Sequence, residues 1–397
     1  MAAYLLDWAN LLLRWAHVVV VIAWIGSSFY FVFLDSSLTP PEDEELKKKG
    51  VDGELWAVHG GGFYHPQKYM VAPRRIPEHL HWFYWESYST WLTGFALFTV
   101  LYLWQAGNFL IDRNVHDWSA PAAIAAALAL LVVFWLLYDA VCRVFGQRRG
   151  GERSVGILVF AIVVAASYLA CQLFAGRAAF LLVGAMMATA MSANVFFWII
   201  PGQRKVLAQM KAGEPVDPLH GQRAKQRSVH NTYFTLPVLI AMLANHYGVL
   251  YGAGHNWLVL VLVMAAGALI RHFFVARHSA LVQGRPLPWG YAIAGCVVLG
   301  TVIAWLAPAP RTASASGPVS FAQVQAVVAQ RCVMCHNAQL ANKGVALDSA
   351  EGIEQHAQAL YQQAVLQKTM PLNNATQITE AERALLGRWF EAGAKAQ

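Results

Sequence analysis

Eight apolar stretches dominate the chain, at residues 8–34, 82–105, 119–141, 154–175, 178–201, 229–247, 254–275 and 288–307. Each is long enough to cross a hydrocarbon core of roughly 30 Å, which takes about 20 helical residues. In lipid the backbone has no water to bond, so such spans fold as helices. A mean hydropathy of +0.41 with only 13% charged residues agrees. The expected fold class is all-α, an eight-helix transmembrane bundle over residues 1–307. The first stretch has no basic region before it and no small-residue cleavage site after it, so it is expected to be a retained span. Little more than Gly176-Arg177 separates the fourth and fifth, a tight hairpin.

The net charge of +7 is a matter of topology and does not point to nucleic acid. The loops at 35–81, 142–153, 202–228 and 276–287 carry eighteen Lys and Arg residues, and the intervening loops carry only Arg113 and Arg177. That asymmetry places the four basic loops in the cytoplasm and both termini outside. Gly26-Ser-Ser-Phe-Tyr-Phe31 and Ser192-Ala-Asn-Val-Phe-Phe197 each precede a basic loop and then a His at the start of the next span, His81 and His230. A four-plus-four parallel repeat is a candidate on that basis.

A second, smaller domain follows an Ala/Pro/Ser linker at 308–318. Cys332-Val333-Met334-Cys335-His336 has the spacing of a covalent c-type haem site, with two thiols for the vinyl groups and an adjacent axial His. An amphipathic helix over 320–331 leads into it, a second helical stretch covers 350–367, and Thr379-Glu380-Ala381-Glu382 opens the last helix as a capping box. Met370, followed by Pro371, is the expected second axial ligand. Residues 319–397 are expected to form a small class I-like cytochrome c domain with one haem c. Covalent haem is attached outside the bacterial cytoplasmic membrane, so haem and charge give the same orientation. Cys142, Cys171 and Cys296 stand singly among apolar residues and read as packing.

Ionisable residues inside spans are costly and mark function by default. Towards the cytoplasmic side these are His79, His81, Glu86, Asp139, His230, Arg271 and His272; towards the outer side, Arg14, His17 and His246. The first basic loop adds Glu54–Tyr69, whose strand-like alternation surrounds Gly60-Gly61-Gly62 and carries His59, Tyr64 and His65. Glycines there would let the backbone approach a flat ligand. His59-Gly-Gly-Gly also matches a lipase oxyanion motif, but no Gly-x-Ser-x-Gly accompanies it, which sets hydrolysis aside.

Tyr4–His17, Trp24–Tyr30, Gly53–Tyr69 with its Trp56-Ala-Val-His-Gly-Gly-Gly core, and Ser192–Gln203 together resemble the membrane-integral bacterial urate oxidases. That family joins an eight-span domain to a C-terminal cytochrome c. The resemblance implies oxidation of urate toward 5-hydroxyisourate, with electrons passing to the cytochrome and on to an external cytochrome or respiratory oxidase. It implies no residue roles, so these come from chemistry. A planar anion needs a cation (Arg271 or Arg75), stacking rings (Tyr64, Trp85) and a base (His81 or His230, oriented by Glu86). A non-covalent haem b on His17 and His246 is a candidate relay between a cytoplasmic-side substrate and an outer haem. The alternative function is a respiratory quinol-to-cytochrome c module.

Overall fold

The computed structural model describes residues 2–69, 73, 76–148, 150–307 and 319–396. The linker 308–318 and Arg74 and Arg75 lie outside them. In chain order the elements are α1 (Ala2–Ser37), α2 (Glu44–Lys49), β1 (Gly53–Glu54), β2 (Ala57–His59), β3 (Gly62–Tyr64), β4 (Gln67–Lys68), α3 (Trp85–Phe98) and α4 (Ala106–Phe109). There follow α5 (Ala120–Phe145), α6 (Gly151–Leu173), α7 (Gly176–Asn194), α8 (Ile200–Ala212), α9 (Pro218–Ala244), α10 (Gly248–Tyr251), α11 (Asn256–Val282) and α12 (Trp289–Trp305). The C-terminal region adds α13 (Phe321–Arg331), α14 (Ala350–Gln355), α15 (Ala357–Leu360) and α16 (Glu380–Glu391).

Helices cover all eight apolar stretches, yet length and composition suffice for crossing a bilayer in five of them among the described residues. These are Tyr4–Ser37, Ala120–Phe145, Gly151–Leu173, Gly176–Ala212 and Asn256–Val282. The other three differ for local reasons. α3 passes into a π-helical turn at Thr99–Leu103, α9 begins with polar residues, and α12 has 17 residues. The fifth stretch runs on through a π turn at Val195–Ile199 into α8, well past the expected end at 201.

α7 is the axis of the bundle, with α5, α6 and α9 packed around it. Its small residues (Ala178, Ala179, Gly184, Ala190) bring neighbouring backbones close, which is how helices associate without a hydrophobic drive between them. α1 is the opposite case. None of its most apolar stretch is buried within the chain, and it lies against α3 and α11 along one side.

The first basic loop departs from all-α. β1 pairs with β4 and β2 with β3, both antiparallel. Gly60 and Gly61 sit at φ of +58° and +81°, the two left-handed positions of a tight hairpin turn. The turn itself therefore accounts for these glycines without a ligand.

Residues 319–396 have a hydrophobic core of their own, built on Val324, Val328, Ile353, Leu386 and Trp389, with α13 packed against α16. Thr379 caps α16 as expected: its backbone N–H donates to Glu382 Oε2 at 2.6 Å, and its hydroxyl accepts from the Glu382 N–H at 3.2 Å. Arg331 Nη2 donates to Glu382 Oε1 at 2.9 Å. The Thr379 N–H, with help from Arg331, holds the Glu382 carboxyl below its usual range. A depressed carboxyl pKa stabilises the fold above the unfolded value and loses that contribution as pH falls through the folded value. Glu382→Ala should cost roughly 1 kcal/mol at pH 7, the size of a lost cap, and less at an acid pH below the folded value. Hydrogen exchange of the α16 amides at both pH values checks this; an equal cost at both would contradict it.

Candidate functional site

Two groups of residues can carry chemistry, one in the C-terminal domain and one deep in the bundle. In the first, the chain turns tightly after α13, with the Cys335 and His336 amides donating to Cys332 O at 3.1 and 3.0 Å. His336 Nδ1 lies 3.2 Å from Val345 O. A carbonyl only accepts, so Nδ1 carries the proton and Nε2 keeps its lone pair for a metal. Burial pushes the Cys332 thiol up to about 11, whereas Cys335 is exposed. Met370 is partly exposed, its loop held by its N–H donating to Gln363 O at 3.1 Å and its carbonyl accepting from Arg383 Nη1 at 2.8 Å.

These residues fit a haem c. Two thiols flank an imidazole with a free Nε2, and the exposed apolar side chains of Met334, Leu340 and Leu366 would suit a porphyrin face. Among the described residues no three or more His, Cys, Asp or Glu side chains converge on a metal position. A porphyrin supplies four nitrogens itself and needs only axial ligands from the protein.

The loop after Met370 meets the bundle. Asn373 Nδ2 donates to Asn108 O at 2.8 Å and to Ile111 O at 3.2 Å, and Gln377 Nε2 donates to Asn114 Oδ1 at 3.4 Å. Gln367 O packs so closely on Gly248 that a Cβ there would sit 1.7 Å from it. The C-terminal domain therefore docks at the end of the bundle away from the basic loops, through the segment that presents Met370.

At the basic-loop end, some buried polar groups have charged or hydrogen-bonding partners and others do not. Asp139 accepts from Arg227 Nη2 at 2.7 Å and from Trp198 Nε1 at 2.7 Å, and pairs with Arg143 at 2.6 Å. Beside it runs a chain of fixed orientation. Asn231 Nδ2 donates to Met191 O at 3.0 Å, so Asn231 Oδ1 must accept from Asn194 Nδ2, at 2.9 Å. Asn194 Nδ2 also donates to the Tyr138 hydroxyl at 2.9 Å, and the one acceptor hydrogen-bonded to that hydroxyl among the described residues is His230 Nδ1 at 2.8 Å, so the hydroxyl proton is placed there. His230 is thereby left with its proton on Nε2.

Arg271 has no such partner. It is 5% exposed, its Nε and Nη2 make no hydrogen bond, and its guanidinium lies 3.8 Å from the centre of the Phe29 ring. A buried cation without an anion is a site waiting for one, since leaving it unpaired is expensive. Tyr233 lies within Coulombic reach of Arg271, and its hydroxyl is 2.6 Å from His272 Nδ1. Arg271, Phe29, Tyr233 and His272 form one group on α1, α9 and α11.

The other expected residues are placed apart from it. His59 and Tyr64 are exposed on the β2–β3 hairpin. His65 stacks on Trp56 at 4.0 Å and bonds Glu54 Oε2 at 2.6 Å, a clip that holds the ribbon. His81 is exposed against Phe83, and Trp85 is exposed. Glu86 Oε2 is buried without a partner, but Glu86 forms no ion pair with Arg271. Arg75 lies outside the described residues. His17 packs on Gly94 and bonds Thr93 Oγ1 at 3.0 Å; because that hydroxyl donates to Ser89 O, His17 Nδ1 carries the proton. His246 sits in the exposed turn after α9, and among the described residues no hydrogen bond or ring contact joins it to His17. Sequence reasoning missed Phe29 and Tyr233. Tyr233 lies one turn from His230, and Phe29 falls within the Gly26–Phe31 echo, so both carried a faint signal.

No curated protein and no solved structure matches this chain at a significant level. A family model, the urate oxidase N-terminal domain, matches residues 3–307, which include α1 to α12 and the Arg271 group. With more than half of its length matched, the chain belongs to the urate oxidase N-terminal family.

Proposed function

We propose that the chain oxidises urate toward 5-hydroxyisourate in a membrane-embedded domain and hands the electrons to a haem c on its own C-terminal domain. The observation that carries this is Arg271: a buried guanidinium with two unbonded N–H groups, in a family whose name points to a planar, anionic substrate. Arg271 binds the anion through Nε and Nη2, and Phe29 lies against the other face of the guanidinium. Oxidation takes up one water and releases two electrons and two protons. Tyr233 and His272 are the proton-accepting pair, the hydroxyl passing its proton to Nδ1 as it takes another.

A haem c would be held by Cys332, Cys335, His336 and Met370, and would supply one-electron acceptance. The protein is read as a multi-pass protein of the bacterial inner membrane with the C-terminal domain and N-terminus in the periplasm. What supports this is the basic-loop asymmetry together with Asn373 seated on Asn108, in a loop that the charge pattern puts outside. An external cytochrome or respiratory oxidase is the proposed final acceptor. A haem b relay stays a proposal resting on His17, whose Nε2 is left without its proton. Acid–acetone extraction of active enzyme tests it, and no extractable haem would remove it.

Adding urate to oxidised membranes should reduce haem c, as read from its absorption. In Arg271→Met the KM for urate should rise roughly 10- to 100-fold, the worth of a lost charged hydrogen bond, with haem content unchanged. A quinol that reduces haem c where urate fails would favour the electron-transfer module instead. Met370→Ala should keep covalent haem while lowering its reduction potential; an unchanged redox titration would exclude Met370 as ligand.

A further inference from the structure

A cavity of about 200 Å³ lies between α6, α9 and α11, apart from the Arg271 guanidinium. Of its fourteen lining residues only His230 and Tyr233 are polar, and both sit at one end, a helical turn apart on α9. The rest is apolar, including Val159, Met187 and Met264. Gly156 and Phe160 line it from α6 and are themselves exposed on the outside of the bundle, so the cavity opens toward lipid.

The polar end has a defined character. The chain from Met191 O through Asn231, Asn194 and Tyr138 leaves His230 with an Nε2–H, and this group makes no hydrogen bond among the described residues. Pro237, also in the wall, has no N–H to offer the Tyr233 carbonyl one turn earlier. The occupant must therefore accept a hydrogen bond at one edge and be apolar elsewhere. Its volume is below the roughly 300–1,000 Å³ of drug-sized sites, which limits it to about one substituted ring. A purine with polar atoms around its whole rim does not suit walls that are polar at one end only. An acyl chain has nothing to accept the His230 proton.

We propose that this cavity binds the ring of a lipid-soluble quinone, one carbonyl accepting from His230 Nε2–H and the side chain leaving between Gly156 and Phe160 into lipid. The test is equilibrium binding of a decyl-substituted benzoquinone to purified full-length protein, with no urate present. Wild type should show one saturable site. His230→Leu should weaken it about tenfold, the effect of one lost hydrogen bond of about 1.4 kcal/mol. Val159→Phe, with haem content and helicity checked, should abolish it by filling the cavity. Decylbenzene, which has the chain but no carbonyl, should compete at least tenfold more weakly. No saturable binding, unchanged binding in both variants, or equal competition by decylbenzene would each overturn the assignment. Because urate is absent, these outcomes are independent of whether urate reduces haem c.

Discussion

Polar groups buried among apolar helices must find their partners within the protein, and the basic-loop end of this bundle is organised by that demand. Asp139 shows how it is met. A single carboxylate on α5 takes the Arg227 guanidinium from α9, the Trp198 indole from the turn between α7 and α8, and Arg143 from its own helix. Arg227 is 3% exposed, and the ring centres of its neighbours Tyr138 and Trp198 lie 4.9 and 5.1 Å from its guanidinium carbon. Three helices are tied to one another through that carboxylate. Taking it away would leave a buried cation unpaired, which typically costs 3–5 kcal/mol.

Arg271 stands at a similar burial with no carboxylate paired to it among the described residues and an aromatic face beside it. The contrast separates scaffold from site without appeal to any relative: Arg227 is paired with a carboxylate and, among the described residues, Arg271 is not. The same logic applies to the histidines. His65 and His230 have ring nitrogens engaged by protein groups that also fix their protons, so they are positioned parts. In His336 the engaged nitrogen leaves the other one available, which is what a metal ligand requires.

Much of this was legible in the sequence where the physics is local or periodic. Apolar length gave every long helix, Cys332–His336 gave a turn with a presented imidazole, and Thr379–Glu382 gave the capping box. The alternation around Gly60 gave the ribbon, although its glycines serve a turn. Legibility failed where the answer depends on which helix faces which. His81, Glu86 and Arg271 all sit near one end of the bundle, so depth alone grouped them. His81 lies in the loop ahead of α3 and is exposed, and helix rotation leaves Glu86 and Arg271 without an ion pair among the described residues. Phe29 and Tyr233 are ordinary apolar-helix residues until their neighbours on α11 are known.

Among the described residues, the docking of the C-terminal domain on the bundle includes few polar contacts. Its contacts with the bundle include neutral amides, Asn373 and Gln377, and a close approach over Gly248. A neutral hydrogen bond contributes only about 1 kcal/mol net, so a few of them hold a docked pose weakly. The linker of residues 308–318 compensates through proximity, since a short tether keeps the local concentration of a partner in the millimolar range. A weak interface held by a tether favours rapid docking and undocking over a permanent seat. The loop that presents Met370 is the loop that docks, and that ties the orientation of the C-terminal site toward the bundle to the same few amides.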